Sequence, residues 1–147
     1  MIYLAVDFGN TRIGLAKSDS NGIIAYPMKT VYSKKNIIDD ANLNINIAKE
    51  INSRNIVIGL PINMNGTPSK MSIYIKKITK IMKKIYDCEV KFLDERLTTV
   101  QANRIIQDNK RNFKDNKNSI DAVSAAVILE SFLLQNEGNK NWNIKRI

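Results

Sequence analysis

Four carboxylates stand where an apolar stretch of this 147-residue chain gives way to something else. Asp7 lies near the end of the most hydrophobic run, Ile2–Phe8. Asp94 and Glu95 follow Val90-Lys91-Phe92-Leu93. Asp121 opens the last long stretch with helical apolar spacing. A carboxylate at the end of a buried element carries a desolvation cost unless it is paired, hydrogen-bonded or bound to a cation. Clustered carboxylates bind hard ions such as Mg²⁺ or Mn²⁺. Two such ions bridged by acids activate water and stabilise a leaving oxygen, which is the chemistry of phosphodiester hydrolysis.

Composition narrows the alternatives in the same direction. The chain has no histidine and a single cysteine, Cys88. That excludes imidazole bases, Ser-His and Cys-His catalysis, His-ligated metals, a Cys-rich zinc site and an internal disulfide. Acid–base work or metal binding therefore falls mainly to Asp and Glu. The net charge of +9, from 23 basic against 14 acidic residues, attracts polyanions and points to nucleic acid as partner. A plainer source of the charge is compositional bias toward Lys, Asn and Ile.

Each acid also has an ordinary structural explanation. Asp7 can close a turn on Gly9 or Asn10. Asp94 or Glu95 can complement a helix dipole, with Thr98 or Thr99 as cap. Neighbouring residues on a strand point to opposite faces, so one of that pair reaches a shared site, and alternation does not choose which. Asp121 projects at the edge of an apolar face formed by Ala122, Ala125, Leu129, Phe132 and Leu133, a position that calls for a partner.

The elements that must position these residues can be read from periodicity and turn signals. Strands are predicted over Ile2–Phe8, Ile13–Lys17, Gly22–Val31, Asn55–Leu60 and Glu89–Leu93. Pro27 marks the third as an edge or bulged strand. The β-branched Ile56, Val57 and Ile58 suit a strand buried on both faces. Helices are predicted over Asp39–Asn52, Ser69–Tyr86, Thr98–Asp108 and Ser119–Gln135. In the second, Met71, Ile75, Ile78, Met82 and Ile85 form one stripe. Lys76, Lys77, Lys80, Lys83 and Lys84 lie opposite and read first as a solvated face. Residues 109–118 read as a basic, Asn-rich loop. The pattern is one α/β domain over residues 1–136, with a mixed five-stranded sheet flanked by helices and a polar tail over 137–147. No apolar run approaches the roughly 20 residues of a membrane span, and no signal-peptide pattern opens the chain, so a cytoplasmic protein without membrane contact is expected.

Four stretches are recognisable beyond their physics. Asp7-Phe8-Gly9-Asn10-Thr11-Arg12-Ile13-Gly14-Leu15-Ala16-Lys17-Ser18-Asp19, Gly59-Leu60-Pro61-Ile62-Asn63-Met64-Asn65-Gly66-Thr67, Asp94-Glu95-Arg96-Leu97-Thr98-Thr99-Val100-Gln101-Ala102 and Asp121-Ala122-Val123-Ser124-Ala125-Ala126-Val127-Ile128-Leu129 occur in that order. They resemble the motifs of the YqgF family, also called RuvX or Holliday-junction-resolvase-like proteins. The resemblance runs from Leu4 to about Leu133. It implies an RNase H-like fold, with Asp7, Glu95 and Asp121 as catalytic acids and ligands of two Mg²⁺ or Mn²⁺ ions, and Asp94 as the alternative to Glu95. It implies a nuclease maturing the 5′ end of pre-16S ribosomal RNA on a ribosomal precursor, or, by the family's older label, resolving four-way DNA junctions. Candidate substrate contacts are Arg12, Asn63, Thr67, Arg96 and Thr98. Arginine offers phosphate a bidentate fork; the alternative for Arg12 and Arg96 is an ion pair with Asp94 or Asp19. For Asn63, Asn65 and Thr67 the alternative is loop closure. Many relatives have Asp in place of Asn65 and Gly in place of Ser69, which bears on the loop rather than the fold. Two rival readings are a non-catalytic RNA-binding module and a relative of actin-like kinases, which share a phosphate-binding turn like Asp7-Phe8-Gly9-Asn10-Thr11 but duplicate the fold in a far longer chain.

Overall fold

The computed structural model describes residues 1–109 and 119–146, with Asn109, Ser119 and residues 137–146 described by backbone alone. Beyond Asn109 the expected basic loop lies outside the described residues.

Five strands form one mixed sheet in the order β3-β2-β1-β4-β5. β1 (Tyr3–Phe8), β2 (Arg12–Ser18) and β3 (Ala25–Tyr32) make an antiparallel meander. β4 (Asn55–Leu60) pairs parallel with β1, and β5 (Glu89–Asp94) parallel with β4. Pro27 does both things its chemistry suggests. It sits on an edge strand, and at a register break: Leu15 pairs with Lys29 but Ala16 with Pro27, leaving Met28 as the extra residue. β3 starts at Ala25 rather than Gly22, because Gly22 is spent in a turn at φ 67° that only glycine adopts freely. In that turn Asp19 accepts hydrogen bonds from the amides of Ile23 and Ile24 at 2.7 and 2.8 Å.

Helices cover both faces. Leu4, Val6 and Phe8 of β1 face α1 (Ile37–Glu50) and α2 (Lys70–Ile85), joined by Ile56 and Ile58 of β4. The opposite residues, Ala5 of β1 and Val57 of β4, face α3 (Val100–Asn109) and α4 (Ser119–Arg146). The Ile56-Val57-Ile58 run is thus buried on both sides, as expected for a parallel strand. α1 begins at Ile37, two residues early, because the Asn36 side chain accepts hydrogen bonds from the amides of Ile38 and Asp39. In α2 the stripe buries Ile75, Ile78 and Met82, while Ile85 at the last turn is exposed and the five lysines all face water.

α4 is longer than its apolar pattern. Its backbone continues past Gln135 to Arg146. A single glycine, Gly138, costs a helix only about 1 kcal/mol and does not by itself end one. At its other end α4 lies unusually close to the sheet. A Cβ on Gly14 of β2 would stand 2.1 Å from the Asp121 carbonyl oxygen. The small residues Ala5, Ala16, Ala125 and Ala126 extend that close approach.

One buried polar knot ties the first helical layer together. Asp40, fully buried in α1, accepts from Ser33 Oγ and the Lys34 amide, both at 2.7 Å, and from Tyr74 Oη of α2 at 3.0 Å. Burial, and the Asp40 carboxylate beside it, push the Tyr74 phenol above its ordinary range. Among the described residues no helix is long and apolar enough to cross a membrane.

Candidate active site

Asp7 is carried by the central strand. Its parity with Ala5 turns it toward α4, and it pairs across the hairpin with Gly14. Because Gly14 has no side chain, the first turn of α4 rests on β2 there, and Asp121 comes to stand beside Asp7. Glu95 arrives from two strands away. After β5 the chain turns through a short 3₁₀ segment, Glu95–Leu97, and the Glu95 side chain reaches back across β4. It can do so because β4 carries Gly59 at that point: a Cβ on Gly59 would stand 3.1 Å from Glu95 Oε1. Two glycines thus open the space into which β1, the 3₁₀ turn after β5 and α4 deliver their acids.

The electrostatics show how closely two of the acids meet. Burial raises the Asp7 carboxyl above its ordinary range, a hydrogen bond from Glu95 opposes this, and the charge of Asp121 adds to it. Glu95 is raised to about 7, first by burial, then by the charge of Asp7, the hydrogen bond to Asp7, and the charge of Asp94. The directions agree on one arrangement: as the pH falls below about 7, Glu95 takes up a proton and donates it to the Asp7 carboxylate.

Asp121 is the acid held apart. Arg12 Nε lies 3.1 Å from its Oδ2, so the two form an ion pair. The approach is off the N–H direction, and that buried oxygen has no hydrogen-bond donor. Asp121 faces a recess of about 500 Å³ that it shares with Arg12 and Tyr32. Among the described residues no three acids or cysteines stand close enough to enclose an ion as they are placed. The expected triple cluster is a hydrogen-bonded pair with a third carboxylate next to Asp7, drawn toward Arg12. The donor set still suits a hard cation. The pair shares a proton that a cation would replace, and the third acid offers a buried oxygen with no donor of its own.

Asp94 faces elsewhere. Its carboxylate accepts from the Arg96 amide at 2.9 Å, from Arg96 Nε at 3.0 Å and from Arg96 Nη2 at 2.7 Å. These bonds hold Asp94 below the usual carboxylate range. Of the two neighbouring acids it is therefore Glu95 that joins Asp7. Arg96 pairs with Asp94, one of the alternatives the sequence left open. Arg12 pairs with neither Asp19 nor Asp94 but with Asp121, more than a hundred residues away.

The remaining candidates divide. Thr98 lines a groove with Asp7 and Glu95, and its hydroxyl donates to the Glu95 carbonyl at 3.0 Å. Thr99 caps α3, accepting from the Ala102 amide at 2.9 Å. Asn63 and Thr67 are not brought to the acids' groove. Asn63 Nδ2 donates to Thr67 Oγ1 at 3.1 Å, and Thr67 Oγ1 donates to Asn65 Oδ1 at 2.6 Å, so their polar groups close the loop after β4. The groove, about 670 Å³, continues from the two acids between α3 and α4. It is lined there by Asn103, Gln107 and Ser124, which the sequence reading passed over. Asn103 and Gln107 stand four apart on one helix face, the one signal that pointed to them.

A mixed five-stranded sheet with an acid near the end of its central strand β1 and helices on both faces is an RNase H-like domain. Solved structures agree. The chain superposes with a TM-score of 0.63 on Thermus thermophilus RuvC in complex with a Holliday junction substrate, covering 92% of this chain and 96% of that one at 10% identity. Thermus thermophilus RuvC in a separate structure gives 0.58 over 92% and 97% at 8% identity. Within that class the chain belongs to the RuvX family: residues 1–135 match its model, described as Holliday junction resolvase. A relative in Koribacter versatilis is 35% identical over 130 residues, 88% of this chain and 84% of the relative. One in Endomicrobium trichonymphae is 39% identical over 134 residues, 88% and 93% of the two chains. Both bear the name "Putative pre-16S rRNA nuclease". The chain is a member of a nuclease family.

Proposed function

We propose that this chain is a cytoplasmic, metal-dependent endonuclease that hydrolyses nucleic-acid phosphodiesters, with the 5′ end of pre-16S rRNA in a ribosomal precursor as its substrate. The observation that carries the reading is the proton-sharing pair of Asp7 and Glu95 at the head of an open groove, with the Asp121 carboxylate beside it. A like-charged cluster is costly to keep for structure alone. Asp7, Glu95 and Asp121 would hold Mg²⁺ or Mn²⁺. Such ions, when bound, supply an activated water and stabilise the leaving oxygen. The chain's own groups set the conditions. Glu95 gives up its proton around neutrality, so the pair reaches full negative charge only toward the alkaline side of pH 7. Arg12 is half exposed at the rim and can exchange Asp121 for a phosphate. The basic excess draws the polyanion in. The substrate assignment rests on the names of the relatives; the family description supports a second reading, resolution of four-way DNA junctions.

The test is purified protein with Mn²⁺ on a labelled precursor rRNA 5′ segment and on a four-way DNA junction. The expected result is discrete cleavage of the RNA, abolished in Asp7→Asn with folding and binding retained. Junction cleavage without RNA cleavage would move the assignment to the second reading. RNA binding that survives EDTA, with no cleavage of either substrate, would make the chain a binding module. Asp7→Asn cleaving as fast as the parent would remove the proposed metal site.

A further inference from the structure

We infer that the groove between α3 and α4 seats one unpaired nucleobase beside the cleaved phosphate, so that the substrate is single-stranded at the cleavage point. This rests on the nuclease reading for its place in catalysis, but the groove's own chemistry argues for the occupant. The groove opens directly onto Asp7 and Glu95, so whatever fills it lies next to the acids. Among the described residues those two acids are its only charged lining. A phosphate finds no cation among these described lining residues. A flat, uncharged group does find partners, because the groove presents two kinds of surface. One is aliphatic: Val100, Ile120, Val123 and Val127. Val100 and Ile120 are each 73% exposed, apolar surface that the fold itself leaves uncovered. The other is amide: Asn103 and Gln107, one turn apart on α3. Each amide offers two donors and an acceptor. The Watson–Crick edge of a base needs that mixture, and an unpaired base has its edge and both faces free for it. A base inside a duplex has neither. The volume, about 670 Å³, falls within the roughly 300–1,000 Å³ of sites that enclose small organic groups.

The test uses the full chain and a set of labelled oligonucleotides of one sequence, each with a single abasic nucleotide at a successive position, read by fluorescence anisotropy in EDTA. The expected result is one position at which loss of the base weakens binding about tenfold, or about 1.4 kcal/mol. In the double variant Asn103→Ala, Gln107→Ala that difference should vanish while the abasic strand binds as it does to the parent. Both residues are exposed on a helix where alanine is well tolerated, so the variant folds. No sensitive position, or a variant that weakens intact and abasic strands alike, overturns the pocket. A second arm compares cleavage with Mn²⁺ of the single strand and of its full duplex. The duplex is expected to be cut at least tenfold more slowly, and equal rates overturn the proposal. Cleavage that ignores the abasic position leaves the nuclease and sinks the pocket. Base-dependent binding without cleavage of any strand does the reverse.

Discussion

Replacing Glu95 by glutamine should make the protein more stable at pH 8 and leave it nearly unchanged at pH 4. Glu95 is raised from an ordinary 4.5 to about 7 in the folded chain. A carboxyl raised in this way favours the folded state while it is protonated. Its contribution is complete below pH 4.5 and is lost as the pH climbs through about 7. At about 1.4 kcal/mol for each pH unit of displacement, the full effect would be about 3 kcal/mol. Glu95 is only partly buried, and solvent screening reduces this to about 1–2 kcal/mol. Asp7 is displaced in the same direction, so the pair acts together. Glutamine keeps the shape and can still donate to Asp7 through its amide, but it does not titrate. Urea denaturation of both proteins at pH 4 and pH 8, without divalent ions, reads the difference directly. The variant should gain about 1–2 kcal/mol on the parent between the two, with equal m-values. If parent and variant differ by the same amount at both pH values, Glu95 does not share a proton with Asp7 and the description of the site fails.

Three further expectations concern the frame around that pair. Gly14→Ala puts a methyl 2.1 Å from a backbone oxygen of α4, which cannot rotate away; the loss should be about 3 kcal/mol, or about 10 °C in melting temperature, and a variant melting within a degree of the parent would contradict the close approach. Asp40→Ala strips Ser33, Lys34 and Tyr74 of a shared buried acceptor; calorimetry should show a loss of about 3 kcal/mol or more with no change in metal binding. Mg²⁺ at a hundred times its dissociation constant should stabilise the parent by about 2.7 kcal/mol and Asp7→Asn much less; equal stabilisation would place the ion elsewhere.

The strands were legible because their signals are local. The Ile56-Val57-Ile58 run, the turn residues after Phe8 and the proline in β3 each act within a few residues of themselves. The site was legible only in part, because what completes it is not local. Strand alternation had no authority over Glu95, since the chain leaves β5 at Asp94 and turns before Glu95 projects. The Arg12–Asp121 pair joins motifs at opposite ends of the sequence, and charge spacing gives no hint of it. Asp40 fits an ordinary helical pattern, so its burial and its three donors were invisible. Thr99 rather than Thr98 caps α3, a choice made by the 3₁₀ turn in front of it.

The order in which the acids occur along the chain has a consequence during synthesis. Asp7 emerges more than a hundred residues before α4, which brings Asp121 to it and begins at Ser119. The parallel pairing of β1 with β4 already requires a closure across some fifty residues, and such distant contacts form slowly. Asp121 therefore reaches Asp7 only after α4 has left the tunnel and docked on β2.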